Sequence, residues 1–359
     1  MRDLNLVSAP RFTLADEGRA VFVPAERIAV STGALTWDGS RRIAAYGTVL
    51  EQVSELRSRA SQLTFRLAPD VSVFRKVVWT LSYTFARARA EQSGLDGSTF
   101  DSPTIRAWSR ANTDVRHTII ASIGRDFGKF GSVSMFSRFM SGRPFTPMIA
   151  SDVNGDGFAN DRAFIFDPAV AGSTSTSSTA VDLQRLVAGA SRNVRQCLER
   201  QLGRPAAANS CEGPWTTFLS AQVSVNPRVF GSRIGLHLTH LNVAIDNPLG
   251  GLDELLHGRN LRGWGNPTAP DPTLYRVRGF DASARRYEYQ VNPRFGDTRP
   301  ANTAIRAPFR VSVEARLNLS TPVAQQQVHR FLSAGRNGNP GKRLTVADLK
   351  RRYARCARS

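Results

Sequence analysis

The stretch KVVWTLSYTFARA, Lys76 to Ala88, decides the fold class because apolar and small polar side chains alternate along it. One side of an extended chain here carries Val77, Trp79, Leu81, Tyr83 and Phe85, and the other side carries Thr80, Ser82, Thr84 and Ala86. A period of two predicts a β-strand with one apolar and one polar face. At roughly ten residues or more, this strand is longer than the five or six residues usual in soluble sheets.

Six other segments alternate in the same way. They are Leu56–Ala68, Arg116–Phe127, Ser132–Met140, Trp215–Asn226, Arg233–Ile245 and Pro308–Ser320. The clearest of them carry Arg or Glu in mid-strand on the polar face, which suits a water-filled lumen, and their length suits strands that cross a membrane. The pattern therefore predicts an all-β fold, an antiparallel transmembrane β-barrel portion of about seven long strands. A soluble sandwich, which also alternates, is the competing fold.

The connections between these segments alternate between short and long. Short turns follow the first, third and fifth strands, and the long connections are Glu91–Val115, Ser141–Pro214 and Asp246–Ala307. Short turns on one side and long loops on the other are typical of bacterial outer-membrane barrels, whose long loops face outward. Few short helices are predicted: Asp182–Leu202, Leu252–His257 and two in the tail after Pro322.

The charge balance is strongly basic, with 48 Lys and Arg against 29 Asp and Glu and a formal net charge of +19. Such an excess can indicate nucleic acid or an anionic surface as a partner. The basic residues are scattered singly, however, and no nucleic-acid-binding motif accompanies them, so no nucleic-acid partner is expected. No apolar run is long enough for a membrane-spanning helix, and the first residues, MRDLNLVSAPRFTLADEG, lack the apolar region of a signal peptide.

Four segments together resemble TonB-dependent outer-membrane receptors, and most closely the Oar-like branch, which carries a carboxypeptidase-regulatory-like domain at its start. The segments are LSYTFARARAE, WSRANTDVRHTIIASIGRDF, FSRFMSGRPFTP and DVNGDGFANDRAF. In such receptors an Asp-x-Arg-His motif opens a strand and a Ser-Gly-Arg-Pro-Phe motif ends the next. Here the first motif is formed by Asp114, Arg116 and His117, and the second spans Ser141 to Phe145.

The resemblance covers roughly residues 50–320 and implies substrate uptake across the outer membrane, without enzyme activity. In such receptors an N-terminal plug closes a barrel of about 22 strands, and external loops bind the substrate. The implied partners are outer-membrane lipid, the remainder of the barrel and plug, an imported ligand of unknown identity, and the TonB complex through N-terminal parts absent from this sequence. The alternative is a soluble basic β-protein that binds a polyanion or a carbohydrate.

The same resemblance predicts a fragment with three regions. Residues 1–53 are expected to be an external loop region or an incomplete preceding strand. Residues 54–320 form the C-terminal part of the barrel, and residues 321–359 a helical or flexible basic tail. The sequence lacks a plug and a TonB box, and about seven strands are too few to close a transporter.

The loop SGRPFTPMIASDVNGDGFANDRAFIFDP, residues 141–168, carries half of an EF-hand pattern. Oxygen donors stand at positions 1, 3, 5, 7, 9 and 10 of such a loop: Asp152, Asn154, Asp156, Phe158 through its carbonyl, Asn160 and Asp161. Gly157 occupies position 6, where the turn needs glycine, but Ala163 replaces the bidentate Glu of position 12. Hard oxygen ligands suit Ca²⁺. A weak calcium site and a solvated Asx-turn loop without metal both remain open.

The three cysteines form no CxxC motif, so the spacing does not predict a zinc or thioredoxin-type site. Cys197 and Cys211 are separated by a polar segment, and their spacing alone is compatible with a disulfide or with two free thiols. An external loop lies outside the reducing cytosol, so the predicted barrel favours a Cys197–Cys211 disulfide.

No catalytic site is predicted, because no nucleophile lies at a recognisable spacing from a base. His117 is expected to make a hydrogen bond at the rim of the barrel rather than to catalyse a reaction. Five arginines are expected to face the lumen: Arg57, Arg59, Arg66, Arg310 and Arg316.

Overall fold

The computed structural model describes residues 1–69, 76–93, 102–169, 175–227, 238–257, 262, 264–265, 269–298 and 309–317. Its α-helices are α1 (Ser175–Gly189), α2 (Arg192–Glu199) and α3 (Pro248–His257). Short 3₁₀ turns cover Ala25–Arg27, Trp37–Ser40 and Gly128–Phe130. The long strands are β5 (Ser58–Leu67), β6 (Val77–Ser93), β7 (Arg106–Arg110), β8 (His117–Asp126), β9 (Gly131–Met140), β15 (Thr216–Val225), β16 (Leu238–Asp246), β17 (Thr273–Asp281), β18 (Arg286–Val291) and β19 (Arg310–Leu317).

The remaining strands are two residues long. They are β1 (Arg2–Asp3), β2 (Phe12–Thr13), β3 (Ala20–Val21), β4 (Leu50–Glu51), β10 (Pro144–Phe145), β11 (Met148–Ile149), β12 (Phe164–Ile165), β13 (Arg204–Pro205) and β14 (Cys211–Glu212).

Eight strands form one sheet. Seven of them follow the order β19-β16-β15-β9-β8-β6-β5, and the eighth, β7, pairs with the C-terminal end of β6. Within the described residues the path ends at β5 and at β19, and no closed barrel is detected. The prediction of a mostly β chain with antiparallel sheets and few short helices is confirmed. Closure into a transmembrane barrel stays a prediction.

The register of the sheet assigns each side chain to a face. Leu63 lies opposite Phe85 across β5 and β6, and Ile123 lies opposite Met135 across β8 and β9. Because directly opposed residues of antiparallel strands share a face, odd-numbered positions of these four strands lie together and even-numbered positions lie on the other face. The predicted alternation within Val77–Phe85 is therefore confirmed.

Two strand segments lie where the sequence analysis predicted a connection, Glu91–Val115. Strand β6 is 17 residues long and continues to Ser93, and β7 pairs with this extension from Arg106 to Arg110. The hydrophobic alternation ends at Phe85, so it does not detect the extension, in which arginine and alanine continue the alternation.

The hydrophobic core lies outside the eight-stranded sheet. The core residues come from residues 1–53, 141–214 and 269–298, which we call the loop module; the largest fully buried ones are Tyr275, Phe280, Leu14, Ile149, Ile165, Leu183, Leu198 and Leu274. None of the core residues belongs to the long strands of the sheet. The described sheet therefore has no apolar core of its own.

Two parts of the loop module differ from what the sequence predicts. The region Asp246–Ala307 was predicted as a connection, but it contains the β17–β18 hairpin, which buries Tyr275 and Tyr289. The predicted helix Asp182–Leu202 is two helices, because α1 ends at Gly189 and α2 begins after Ser191. Glycine has a low helix propensity, and serine is a common residue at the start of a helix.

The chain divides into two compact units. The first comprises Met1–Ser224 and Asn242–Val313, and the second comprises Val225–Leu241 and Glu314–Ser359. In the second unit the Thr239 hydroxyl donates a hydrogen bond to the Arg316 carbonyl at 2.9 Å. The predicted tail region 321–359 and its two helices lie outside the described residues. The three predicted domain boundaries stay predictions.

Candidate functional site

One face of the sheet presents apolar side chains to the surroundings. This apolar face consists of Leu63, Phe65 and Leu67 on β5; Val77, Trp79, Leu81, Tyr83 and Phe85 on β6; Ile119, Ala121 and Ile123 on β8; and Val133, Met135 and Phe139 on β9. Exposure is high even on inner strands, where Ile123 is 46% and Met135 is 43% exposed, and it reaches 59% at Leu67 on the edge strand. Contiguous exposed apolar surfaces of this kind are uncommon on soluble monomers and are found at sites of interaction.

The opposite face of the same strands is mainly polar. Hydrogen bonds join hydroxyl groups of neighbouring strands there, at 3.0 Å between Thr64 and Thr84 and at 2.7 Å between Thr80 and Ser122. Apolar exceptions on this face include Val78, which is 69% exposed, Ile120 and Phe136. The Phe136 ring lies near that of Phe218, with ring centroids 6.3 Å apart. The sheet thus separates an apolar side from a polar side, as a barrel wall does between lipid and lumen.

The Asp-x-Arg-His motif connects the strands where β8 begins. Asp114, which is 1% exposed, accepts a hydrogen bond at 2.7 Å from the backbone N–H of Ala88 on β6 and also binds the Arg110 guanidinium. The backbone N–H of His117 donates to the Ser141 hydroxyl at 3.1 Å, so the last residue of one motif is hydrogen-bonded to the first residue of the other.

The His117 ring lies among aromatic rings. It stacks with Tyr83 and Trp215 at centroid distances of 6.1 and 5.9 Å, and its Nδ1 lies 2.9 Å from the Tyr83 hydroxyl. The hydrogen bond expected for His117 is therefore present.

In the Asp-rich loop, backbone N–H groups point at the carboxylates. Asp152 accepts hydrogen bonds from the N–H groups of Gly155 and Gly157 at 2.7 and 2.8 Å, and Asp156 accepts one from Phe158 at 2.9 Å. Asn154 Oδ1 accepts the Asp156 N–H at 2.8 Å. Gly155 and Gly157 have φ values of +78° and +95°, a conformation that favours glycine. The loop is thus wound tightly around its own acidic side chains.

Asp161 joins the loop to a buried ion network, because its Oδ2 accepts a hydrogen bond from the backbone N–H of Val153 in the loop at 2.7 Å. Its Oδ1 accepts a hydrogen bond at 2.9 Å from Arg19, which also pairs with Glu17 at 3.0 Å. Glu17 in turn accepts a hydrogen bond from the Tyr289 hydroxyl. Arg19 and Asp161 are almost completely buried, and the pair connects residues 142 positions apart in the chain. This network fastens the N-terminal segment and the β17–β18 hairpin to the loop.

Burial makes negative charge costly in the loop. Burial and the neighbouring Asp152 carboxylate raise the pKa of Asp156 to about 7, despite the hydrogen bonds that it accepts. Burial also raises the pKa of Asp152. The pKa of Asp161 is raised well above its ordinary value by burial, against the opposing effect of Arg19. The loop can accept positive charge, either protons or a cation.

The donor set fits calcium only in part. Asp152, Asn154 and Asp156 provide side-chain oxygens within one turn, and a carboxylate oxygen that accepts one hydrogen bond keeps further acceptor capacity. Asp161 is held by Arg19 and is therefore a poor ligand. Within the residues that the structure describes, no group of three or more His, Cys, Asp or Glu side chains is arranged to hold a metal ion. Calcium at this loop, including the predicted contributions of Phe158 and Asn160, stays a prediction.

The two cysteines of the loop module are joined in the structure. Cys197 on α2 and Cys211 on β14 form a disulfide, with their Cα atoms 5.2 Å apart. Strand β14 pairs with β10, which belongs to the Ser-Gly-Arg-Pro-Phe motif. The disulfide therefore links α2 to the segment that follows the sheet strand β9.

An open groove in the loop module offers a place for a ligand. It has a volume of about 470 Å³, and its lining includes Phe145, Arg192, Glu212 and Asp297 of the module, together with Arg262 from outside it. Side chains of both charges face it, so it can receive a ligand that carries both an anionic and a cationic group.

Several residues of these sites had no signal in the sequence. Arg19 and Arg41 are buried partners of the Asp-rich loop, and Arg41 approaches the Asp156 carbonyl at 3.3 Å. Both are far from the loop in the chain and belong to no motif.

Arg59 was expected on the polar face, but it lies opposite Arg89 on the face of Leu63 and Phe85. Position 59 is odd, like positions 63 and 65, and alternate residues of a strand share a face. The sequence therefore contained the information that places Arg59 on the apolar side.

Comparisons with protein-family models, curated proteins and solved structures find no match to this chain. Among the described residues, no helix combines the length and apolar character required to cross a membrane.

Proposed function

We propose that this chain is the C-terminal barrel portion of a TonB-dependent outer-membrane receptor, which takes up a substrate across the outer membrane. The apolar face of the sheet contacts lipid, and the polar face lines the lumen together with the remainder of the barrel and the plug. The loop module lies outside the membrane and takes part in binding the imported ligand, for which the groove beside Arg192 and Glu212 is the candidate position. The TonB complex acts through the plug, and no catalytic role is proposed.

One observation carries this proposal: the sheet exposes its apolar side chains while the core of the protein lies in the loops. Transfer of a fully exposed Phe, Leu or Ile side chain out of water contributes about 1.5–3 kcal/mol. The apolar segment Val77–Phe85 is about 26 Å long at 3.3 Å per residue, so when tilted it covers most of a band roughly 25 Å high. Lipid would remove from water the side chains that the described fold leaves exposed.

Refolding from urea tests the membrane part of the proposal. We expect the chain to gain strand structure, measured by circular dichroism, when it is diluted into detergent micelles or lipid vesicles, and to aggregate when it is diluted into buffer alone. Sedimentation distinguishes the two states. A folded monomer in buffer without detergent would contradict the proposal and favour a soluble basic β-protein that binds a polyanion or a carbohydrate.

A further inference from the structure

Arginines follow the apolar face at one end of β5 and β6. On β6 the odd positions change from Phe85 to Arg87 and Arg89, and on β5 they change from Leu63 through Ser61 to Arg59. Arg59 lies directly opposite Arg89, and Ser61 lies directly opposite Arg87. The three arginines therefore share the face of Leu63 and Phe85, just beyond its apolar part.

The charges of these three arginines are accessible to a ligand. All three side chains are exposed, and within the described residues none of them forms an ion pair. The next arginines on the same face are different, because Arg106 pairs with Glu55 and Arg110 pairs with Asp114 and Glu212. Glu91 is the acidic residue next along β6, and one of its carboxylate oxygens accepts the Arg57 backbone N–H.

The arginines line an open groove together with an aromatic residue. The groove has a volume of about 450 Å³ and is lined by Arg59, Ser61, Arg87, Arg89 and Trp108. Trp108 of β7 is 43% exposed and lies directly opposite Glu91 of β6. Guanidinium groups bind phosphate oxygens in pairs of hydrogen bonds, and tryptophan is enriched where hydrocarbon meets headgroups.

We propose that Arg59, Arg87 and Arg89, with Trp108 beside them, bind the phosphate groups of an anionic lipid headgroup at the boundary of the apolar face. The proposal rests on the proposed membrane location, because that location brings headgroups to this position. Charge complementarity and direct continuity with the apolar face select a lipid over a free anion: the acyl chains lie along Leu63 and Phe85 while the phosphate reaches the arginines.

Fluorescence quenching tests the proposal in the refolded full chain. We compare quenching of tryptophan fluorescence by brominated phosphatidic acid and by brominated phosphatidylcholine, for the wild type and for Arg59→Gln/Arg89→Gln. We expect the wild type to prefer phosphatidic acid. Each arginine near an anionic surface changes affinity by about fivefold, so the double variant should lower this preference by about 25-fold.

Two variants serve as controls. Arg66→Gln/Arg138→Gln removes the same charge from exposed positions on the polar face, and we expect it to keep the preference. Arg59→Lys/Arg89→Lys keeps the charge and should keep most of the preference. Inorganic phosphate added at millimolar concentration should not displace the lipid; displacement would identify a free-anion site instead.

The outcomes separate the two proposals. If the chain enters bilayers but the wild type shows no preference, or the Arg59/Arg89 variant keeps it, the headgroup site is wrong and the membrane location stands. If the chain does not enter bilayers, both proposals are wrong.

Discussion

Arg59 and Arg89 lie directly opposite each other on β5 and β6, on the same face as Leu63 and Phe85. One surface of the sheet therefore changes from apolar to cationic without any change of strand. In water such an arrangement has no evident stabilising effect, because the apolar side chains stay exposed. At a membrane boundary each part of the surface has a matching partner, hydrocarbon for one and headgroups for the other.

The disulfide is expected in oxidised protein. Titration of denatured, unreduced chain should find one free thiol, that of Cys356, because Cys197 and Cys211 are paired. The closed loop has about 15 residues, so Cys197→Ser/Cys211→Ser should lower the free energy of unfolding of the loop module by roughly 3 kcal/mol in the chain-entropy model. Three titratable thiols in unreduced protein would refute the pairing.

The buried network around Arg19 should contribute strongly to stability. Arg19→Met leaves Glu17 and Asp161 without their cation in the interior, so we expect a loss of about 3–5 kcal/mol in urea unfolding. Near-ultraviolet circular dichroism follows the loop module, because Tyr275 and Tyr289 stack at 5.2 Å in its core.

The matched control for this network is an exposed ion pair. Arg185 pairs with Asp182 at the surface, and Arg185→Met should change stability by less than about 1 kcal/mol. Equal effects of the Arg19 and Arg185 variants would show that the buried network does not stabilise the module.

Calcium should protect the Asp-rich loop from proteolysis. Two partly or fully buried carboxylates, Asp152 and Asp156, repel each other, and a cation removes that cost. Without a position-12 Glu, we expect affinity in the range of extracellular modules, about 10⁻⁴–10⁻³ M. Cleavage within 151–162 should slow in calcium relative to chelator, and Asp152→Ala and Asp156→Ala should each abolish the difference.

Asp281→Ala is the control for these variants, since Asp281 ends β17 and its carboxylate accepts backbone hydrogen bonds from the β17–β18 turn. This variant should keep the calcium effect. Identical cleavage of the wild type in calcium and in chelator would leave the loop as an Asx turn without metal.

In chelator, the loop module should be more stable at pH 5 than at pH 8. The pKa of Asp156 is about 7 in the folded chain, above its ordinary value of 3.8, so the folded state retains a proton that the unfolded state has lost. The stabilisation is complete below about pH 4 and is lost as the pH rises through 7. Asp156→Asn should reduce the difference in melting temperature, and a wild type that is more stable at pH 8 would contradict the assignment.

The long strands were predictable because their signal is local. Each alternating segment specifies which of its side chains lie on each face. For Val77–Phe85 the observed register gives the same assignment of side chains to faces. The extension of β6 to Ser93 was missed because its odd positions carry arginine, so a search for apolar alternation stops too early. Parity, rather than polarity, would have placed Arg59 on the correct face.

The loop module was not predictable in the same way. Its core depends on contacts between distant segments, such as Arg19 with Asp161, which no local pattern encodes. The β17–β18 hairpin had a readable signal, since Tyr287, Tyr289 and Val291 alternate with polar residues. The hairpin was missed because it lies in a region that the spacing of the alternating segments assigned to a loop.

The central claim is that the two faces of β6 meet different solvents, and site-specific labelling tests it most directly. Single cysteines are introduced at each position of Val77–Phe85 in a Cys356→Ser chain that keeps its disulfide, and the protein is placed in lipid vesicles. A lipid-phase reagent should label positions 77, 79, 81, 83 and 85, and a water-soluble reagent should label positions 80, 82 and 84. Uniform protection of both faces would contradict the account and indicate a soluble sandwich.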